Sequence, residues 1–180
     1  MTLFLVTAPS GAGKTTLCKS VKNWVECVSH TTRPMRKGEK DGETYYFVTK
    51  EKFGEMVSQD KFIERVEYDG NYYGVSVDEV QSKMKNGKQV YIIVEHDGYK
   101  QIKEKYPDAV GIFLHMTKEE CMANMLLRGD SLESATKRIQ KYDSEMENLK
   151  EYDYVVKNVR NKFSQTASII TEIVFANYRR

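Results

Sequence analysis

The chain has 180 residues, 40% hydrophobic and 30% charged, with 28 Lys+Arg against 26 Asp+Glu and a formal net charge of +2. That length holds one domain, or a core with inserted sub-lobes, and the apolar content excludes disorder. The near-even charge excludes capture of nucleic acid by bulk electrostatics, and no apolar run approaches the ~20 residues of a membrane-spanning helix.

In chain order, an apolar strand over Leu3–Thr7 enters a glycine-rich turn, Ala8–Gly13, and a helix follows from Lys14 to about Trp24. Further strands are expected at Tyr45–Val48, Phe62–Tyr68, Gln89–Val94, Val110–Leu114 and Tyr152–Val156. Helical periodicity marks Lys50–Val57, Val77–Lys85, Lys100–Tyr106, Lys118–Leu127, Leu132–Leu149 and a closing helix at Phe163–Ala176. Two segments interrupt the alternation of strand and helix. His30–Glu43 is polar and rich in Arg, Lys and Gly, and with Tyr45–Gly74, turning at Asp69-Gly70-Asn71, it suggests an inserted β-rich lobe. Arg128–Lys141 opens on Gly129-Asp130 and carries charges on a helix, as a lid does. The expected class is therefore α/β: a core with a parallel sheet, a small inserted lobe and a helical lid.

Cys18, Cys27 and Cys121 are odd in number and widely spaced, so they form neither a disulfide framework nor a zinc pair. The first residues, Met-Thr-Leu-Phe-Leu-Val-Thr, lack the basic stretch and cleavage site of a signal peptide. The expectation is a cytoplasmic chain with no membrane or nucleic-acid partner.

The strongest local signal is Ala8-Pro9-Ser10-Gly11-Ala12-Gly13-Lys14-Thr15-Thr16, a phosphate loop with Ala in place of its first Gly. Its glycines let successive N–H groups point at phosphate oxygens, the following helix offers its positive end, Lys14 reaches the β/γ-phosphates and Thr15 ligates Mg²⁺. Pro9, Ser10, Gly11, Ala12, Gly13, Lys14, Thr15 and Thr16 thus form the expected ATP site. Glu95, just beyond the strand Gln89–Val94, supplies an acid for the metal. In the lobe, Ser29-His30-Thr31-Thr32-Arg33-Pro34-Met35-Arg36 sets two arginines three residues apart among hydroxyls. Two guanidinium forks suit a phosphate monoester, with the Tyr45 hydroxyl beside them; taken alone, the same segment also fits a solvated basic loop.

Together these strings resemble the guanylate kinase family, as do Gly38-Glu39-Lys40-Asp41-Gly42, Phe62-Ile63-Glu64, Gly70-Asn71-Tyr72-Tyr73-Gly74 and Tyr152-Asp153-Tyr154-Val155-Val156-Lys157-Asn158. The resemblance spans nearly the whole chain. It implies ATP- and Mg²⁺-dependent transfer of a phosphoryl group to GMP or dGMP, on a core (1–28, 77–123 and 143–180) with an acceptor lobe (29–76) and a lid (124–142). By the same resemblance Arg33, Arg36, Tyr45 and Tyr73 hold the acceptor phosphate, with Ser29 nearby, and Glu64 reads the N1–H and N2–H₂ edge of guanine. Lys14, Arg36, Arg128 and Arg138 act on the transferred group, Glu95 serves the acceptor or the metal, and Asn158 lies near the adenine of ATP.

Three positions depart from the family pattern. Val75 replaces a Ser or Thr that donates to the guanine carbonyl, Ile93 replaces the first of two acids before the second core helix, and Asn124 replaces an arginine one turn before Arg128. Val75 keeps open a kinase with altered base preference; a non-catalytic phosphopeptide-binding module and a phosphosugar kinase of the same fold are further alternatives, the last disfavoured by Glu64 and the Gly70–Gly74 string. His96 and Asp97 read either as support for Glu95 or as a solvated strand end.

Overall fold

The computed structural model describes residues 2–36, 38–68, 70–85 and 89–178. Strand β1 (Leu3–Thr7) is buried along its whole length. Alternation sends Phe4 and Val6 to one side and Leu3 and Leu5 to the other, each side joining a separate hydrophobic cluster. A strand apolar on both faces belongs at the centre of a sheet covered on both sides.

After β1 come α1 (Lys14–Ser20), β2 (Trp24–Glu26), β3 (His30–Thr31), β4 (Tyr46–Phe47), α2 (Lys50–Ser58), β5 (Phe62–Tyr68), β6 (Asn71–Ser76) and α3 (Val77–Lys85). The chain continues through β7 (Gln89–Ile93), α4 (His96–Lys105), β8 (Val110–His115), α5 (Lys118–Leu127), α6 (Leu132–Ile139), α7 (Tyr142–Glu147), β9 (Tyr154–Lys157) and α8 (Phe163–Ala176). The core sheet has five strands in the order β2-β7-β1-β8-β9, every pairing parallel. Helices α1, α5 and α8 cover the Phe4/Val6 face through Leu17, Cys121 and Ile170. Helices α3 and α4 cover the other through Val80, Tyr99 and Ile102. This is the three-layer α/β core expected from the sequence.

The inserted lobe is a second sheet, β4-β3-β6-β5, with α2 beside it. Its β5–β6 hairpin carries a bulge between Phe62 and Glu64, where Phe62 pairs with Ser76 and Glu64 with Val75. The extra residue leaves Phe62, Ile63 and Glu64 all buried in succession, which an unbroken pleat would not allow. Of the expected hairpin turn, Gly70 takes a positive φ of 71°; Asp69 lies outside the described residues. Among the described residues no helix is long and apolar enough to cross a membrane.

Strand ends shift by one or two residues from expectation, and three helices differ by a turn or more. The first helix ends at Ser20 rather than near Trp24, because Val21 is extended and Asn23 takes φ 62°. Trp24 then opens the edge strand β2 and packs on Phe4 and Tyr91 with ring centroids 5.5 and 4.5 Å away. The expected helix Leu132–Leu149 is two helices followed by a 3₁₀ turn at Leu149–Glu151. Tyr142 donates its hydroxyl to the Met116 carbonyl at 2.7 Å, tying α7 to the core independently of α6. Helix α4 begins at His96, one turn before the expected Lys100, with Glu95 in its N-cap position.

Candidate active site

In an open parallel sheet, ligands bind beyond the carboxyl ends of the strands. Here β1 ends in the phosphate loop, β7 leads to Glu95, β8 to Met116 and β9 to Asn158, so all four converge at one edge.

The loop is braced from outside. Gly11 and Gly13 both take φ 85°, and a Cβ on Gly11 would overlap the Cys121 carbonyl of α5. The Asn124 amide donates to the Gly11 carbonyl at 2.9 Å, and the Asn158 amide to the Ala12 carbonyl at 3.0 Å. Fixing these carbonyls fixes the peptide planes, and with them the N–H groups that a phosphate chain binds. The structure thus puts Asn158, expected near adenine, directly against the phosphate loop.

Lys14 donates to the Ala8 carbonyl at 2.5 Å. Burial pushes its pKa down, the charges of Glu95 and Glu145 oppose that shift, and Arg138 adds to it. The same neighbourhood acts on Glu145, whose carboxyl is pushed up to about 7 by burial, with the Glu95 charge adding. One Glu145 oxygen is buried and has no hydrogen-bond partner among the described residues. Thr15 and Thr16 are exposed on the first turn of α1, and Glu95 is exposed at the end of β7. Among the described residues no three His, Cys, Asp or Glu side chains come together as a metal cluster. Two accessible oxygen donors, Thr15 and Glu95, fit Mg²⁺, which takes one or two protein ligands and completes its shell with phosphate and water.

On the lobe, Arg33 lies over the Tyr45 ring at 5.5 Å, and Tyr45 meets Tyr73 edge-on with centroids 5.9 Å apart. Glu39 holds this group together: one oxygen accepts from Arg33 Nη2 and the other from the Arg36 backbone N–H, both at 2.7 Å. Arg36 extends its side chain into solvent, and Ser29 is half-buried beside β3. Three of the four expected phosphate contacts therefore cluster, and the fourth is anchored to them through Glu39.

Glu64 is only 6% exposed. One of its oxygens accepts the Val75 N–H at 3.0 Å; the other would lie 2.9 Å from a Cβ at Gly98 of α4. Burial raises its pKa to about 7, partly opposed by that N–H. Val75 is fully buried, and the next hydroxyl, Ser76, accepts the Glu79 N–H at 3.2 Å. Neither side chain reproduces the missing donor as an exposed hydroxyl.

A family model described as "Guanylate kinase" matches residues 1–177. A guanylate kinase of Alkalilimnicola ehrlichii is 38% identical over 99% of this chain and 90% of its own length. One from Legionella pneumophila is 36% identical over 99% of this chain and 87% of its own. The crystal structure of the Anaplasma phagocytophilum guanylate kinase superposes with a TM-score of 0.78 at 29% identity, covering 99% of this chain and 87% of that one. The chain belongs to the guanylate kinase family.

Within this guanylate kinase fold Arg128 and Arg138 meet at one carboxylate. Arg128 donates to Asp130 through Nε at 3.1 Å and Nη2 at 2.6 Å, and Arg138 Nη1 reaches the same carboxylate at 3.1 Å. His96 is not a solvated strand end. It lies between Tyr99 and Tyr152, with Nδ1 3.0 Å from the Tyr152 hydroxyl and Nε2 3.5 Å from Glu151. Sequence reasoning did not assign site roles to Glu39, Asn124, Asp130 or Glu145. The Arg-x-x-Glu and Arg-Gly-Asp spacings were visible signals for Glu39 and Asp130, whereas Asn124 and Glu145 acquire their neighbours only in the folded chain.

Proposed function

We propose that this chain transfers the γ-phosphoryl group of ATP to GMP and dGMP. A phosphate oxygen of the acceptor attacks Pγ, the bond from Pγ to the β–γ bridging oxygen breaks, and ADP leaves. The nucleophile is already anionic, so no general base is needed; positioning and charge stabilisation carry the catalysis. The phosphate loop and Lys14 hold the donor phosphates. Arg33, Arg36, Tyr45 and Tyr73 hold the acceptor phosphate, and Arg128 and Arg138 stabilise charge on the group in transit. Thr15 and Glu95 would hold Mg²⁺, which when bound would supply positive charge to offset that of the donor phosphates.

The observation that carries the guanine reading is Glu64. Its buried carboxylate keeps one oxygen on the Val75 N–H and the other beside a glycine, where a flat donor edge fits. An ionised carboxylate accepts from guanine N1–H and N2–H₂ but has no donor for the N1 acceptor of adenine. Whole-length similarity to proteins named guanylate kinase supports this reading over an altered base preference or a phosphopeptide-binding module. The test is nucleotide turnover with ATP and Mg²⁺ on GMP, dGMP, dTMP, dUMP, dCMP and AMP. GDP and dGDP formation with little turnover of the rest is expected; preferred turnover of another base would overturn it.

A further inference from the structure

Asp130 occupies an unusual place. Helix α5 ends at Leu127 with Arg128 as its C-cap, Gly129 follows at φ 97°, and two backbone bonds close the end: Gly129 N–H to the Leu126 carbonyl at 3.0 Å and Asp130 N–H to the Met125 carbonyl at 3.1 Å. This is a Schellman termination, which fixes the residue after the glycine relative to the last helical turn. Met125 itself is fully buried, so the anchor is core structure. The next residue, Ser131, caps α6 by accepting the Ser134 N–H. Asp130 is therefore held at the junction of two helices, and its side chain returns to both arginines, Arg128 at the C-cap of α5 and Arg138 on α6.

We infer that Asp130 is the positioning residue of the lid, a carboxylate clamp that holds the Arg128 and Arg138 guanidinium groups side by side so that they engage the transferred phosphoryl as one unit. The inference rests on the phosphoryl-transfer reading above for the group the arginines act on, but not for the clamp itself. Two guanidinium groups repel when brought together, and one shared carboxylate removes that repulsion while leaving a net positive charge. The donor arithmetic favours positioning over occlusion. Arg128 uses its Nε and one Nη2 hydrogen on Asp130 and keeps Nη1 free of it, whereas Arg138 uses only one Nη1 hydrogen and keeps its Nε–Nη2 edge. Both retain donors for a second oxyanion. The hydrogen bond from Arg128, followed by the charges of both arginines, holds the Asp130 carboxyl below its ordinary range, so it stays ionised through the neutral range.

The test compares Asp130→Asn with the parent chain, alone and in an Arg138→Ala background. Asparagine keeps the shape and loses the charge. Expected is a fall in kcat of about 30- to 100-fold, the cost of a small misplacement of catalytic groups, with KM for GMP and ATP within about threefold. In the Arg138→Ala background the further loss from Asp130→Asn should be under about threefold, because the clamp has one arginine fewer to place. An unchanged or raised kcat, or an equally large loss in the Arg138→Ala background, overturns the inference. The Arg128 Nε–H signal in ¹⁵N spectra of the ligand-free chain reads the clamp without turnover. It should be protected from solvent exchange in the parent and lose protection in Asp130→Asn; equal exchange in both would disprove the clamp even if the parent chain phosphorylated no nucleotide.

Discussion

The side-chain amide of Asn124 donates to the Gly11 carbonyl at 2.9 Å, joining α5 to the phosphate loop across 113 residues of chain. The position that departs from the family's arginine therefore braces the phosphate loop. With Asn158 on Ala12, and the Met116 sulfur within 3.4 and 3.6 Å of the two amides, it forms a polar collar beneath the loop.

Asn124→Ala should leave the Gly11 carbonyl without its side-chain partner and lower stability by about 1–2 kcal/mol. The loop's loss of order should raise KM for ATP about tenfold, by estimate from one lost hydrogen bond, and change KM for GMP by less than about twofold. Gly11→Ala is a harsher change, combining a positive φ with overlap against the Cys121 carbonyl, and should abolish ATP binding in calorimetry.

Lys14→Ala removes the only side-chain cation of the phosphate loop itself. A fall in kcat of about 10²- to 10³-fold is expected, the usual cost of losing one charge-stabilising donor. The thermal midpoint should hold within a few degrees, since loss of the hydrogen bond to the buried Ala8 carbonyl is offset by removing the desolvated Lys14 ammonium. A kcat near that of the parent chain would remove Lys14 from the chemistry.

Gly98→Ala tests the base pocket at long range. The new methyl would sit 2.9 Å from a Glu64 oxygen and 3.4 Å from the Val94 Cβ, so the carboxylate must move. That displacement should raise KM for GMP by about tenfold or more, as for a displaced buried hydrogen-bonding group, with KM for ATP unchanged. Equal effects on both substrates would point to a general collapse of the seam.

Glu64 also sets a pH dependence. Its folded pKa of about 7 lies above the ordinary value of 4.5, so the folded chain holds a proton that the unfolded chain has released between those values. Ligand-free stability should therefore fall as pH rises from about 4.5 to 7. Glu145, also at about 7, contributes in the same direction. In the proposed function guanine pairs with the ionised carboxylate, so kcat/KM for GMP should rise with pH toward a plateau above about 7. Glu64→Gln should lower kcat/KM and abolish the rise, while Glu145→Gln should leave it; a rise that persists in Glu64→Gln assigns it to another group.

Local chemistry made much of this legible. The phosphate loop needs glycines and a lysine at fixed spacing, and the Arg33–Arg36 segment places two cations on one short loop, so both could be found before folding. Strand β2 could not: its three residues follow a helix without a break in apolar pattern, and only pairing with β7 makes them a strand. The division of α6 from α7 goes with a tertiary contact, the Tyr142 hydroxyl on the Met116 carbonyl, that the sequence does not display. The Asn124, Asn158 and Glu145 environments likewise arise from strand ends and helices that are remote in sequence. The direction of phosphoryl transfer was therefore readable early, whereas the supports beneath the reacting groups were visible only in three dimensions.

The edge strand β5 meets no further strand but the side of α4. Arg65 and Gln101 exchange backbone-to-amide hydrogen bonds at 3.2 Å in both directions, and Lys105 donates to the Phe62 carbonyl at 3.0 Å. The strand that bears Glu64 is thus stitched to the core helix that begins beside Glu95. A lineage that shifts β5 to alter what Glu64 faces must also break or re-form its bonds to α4. Changes in the lobe strand and in the core helix should therefore arise together, and drift in one should leave its trace in the other.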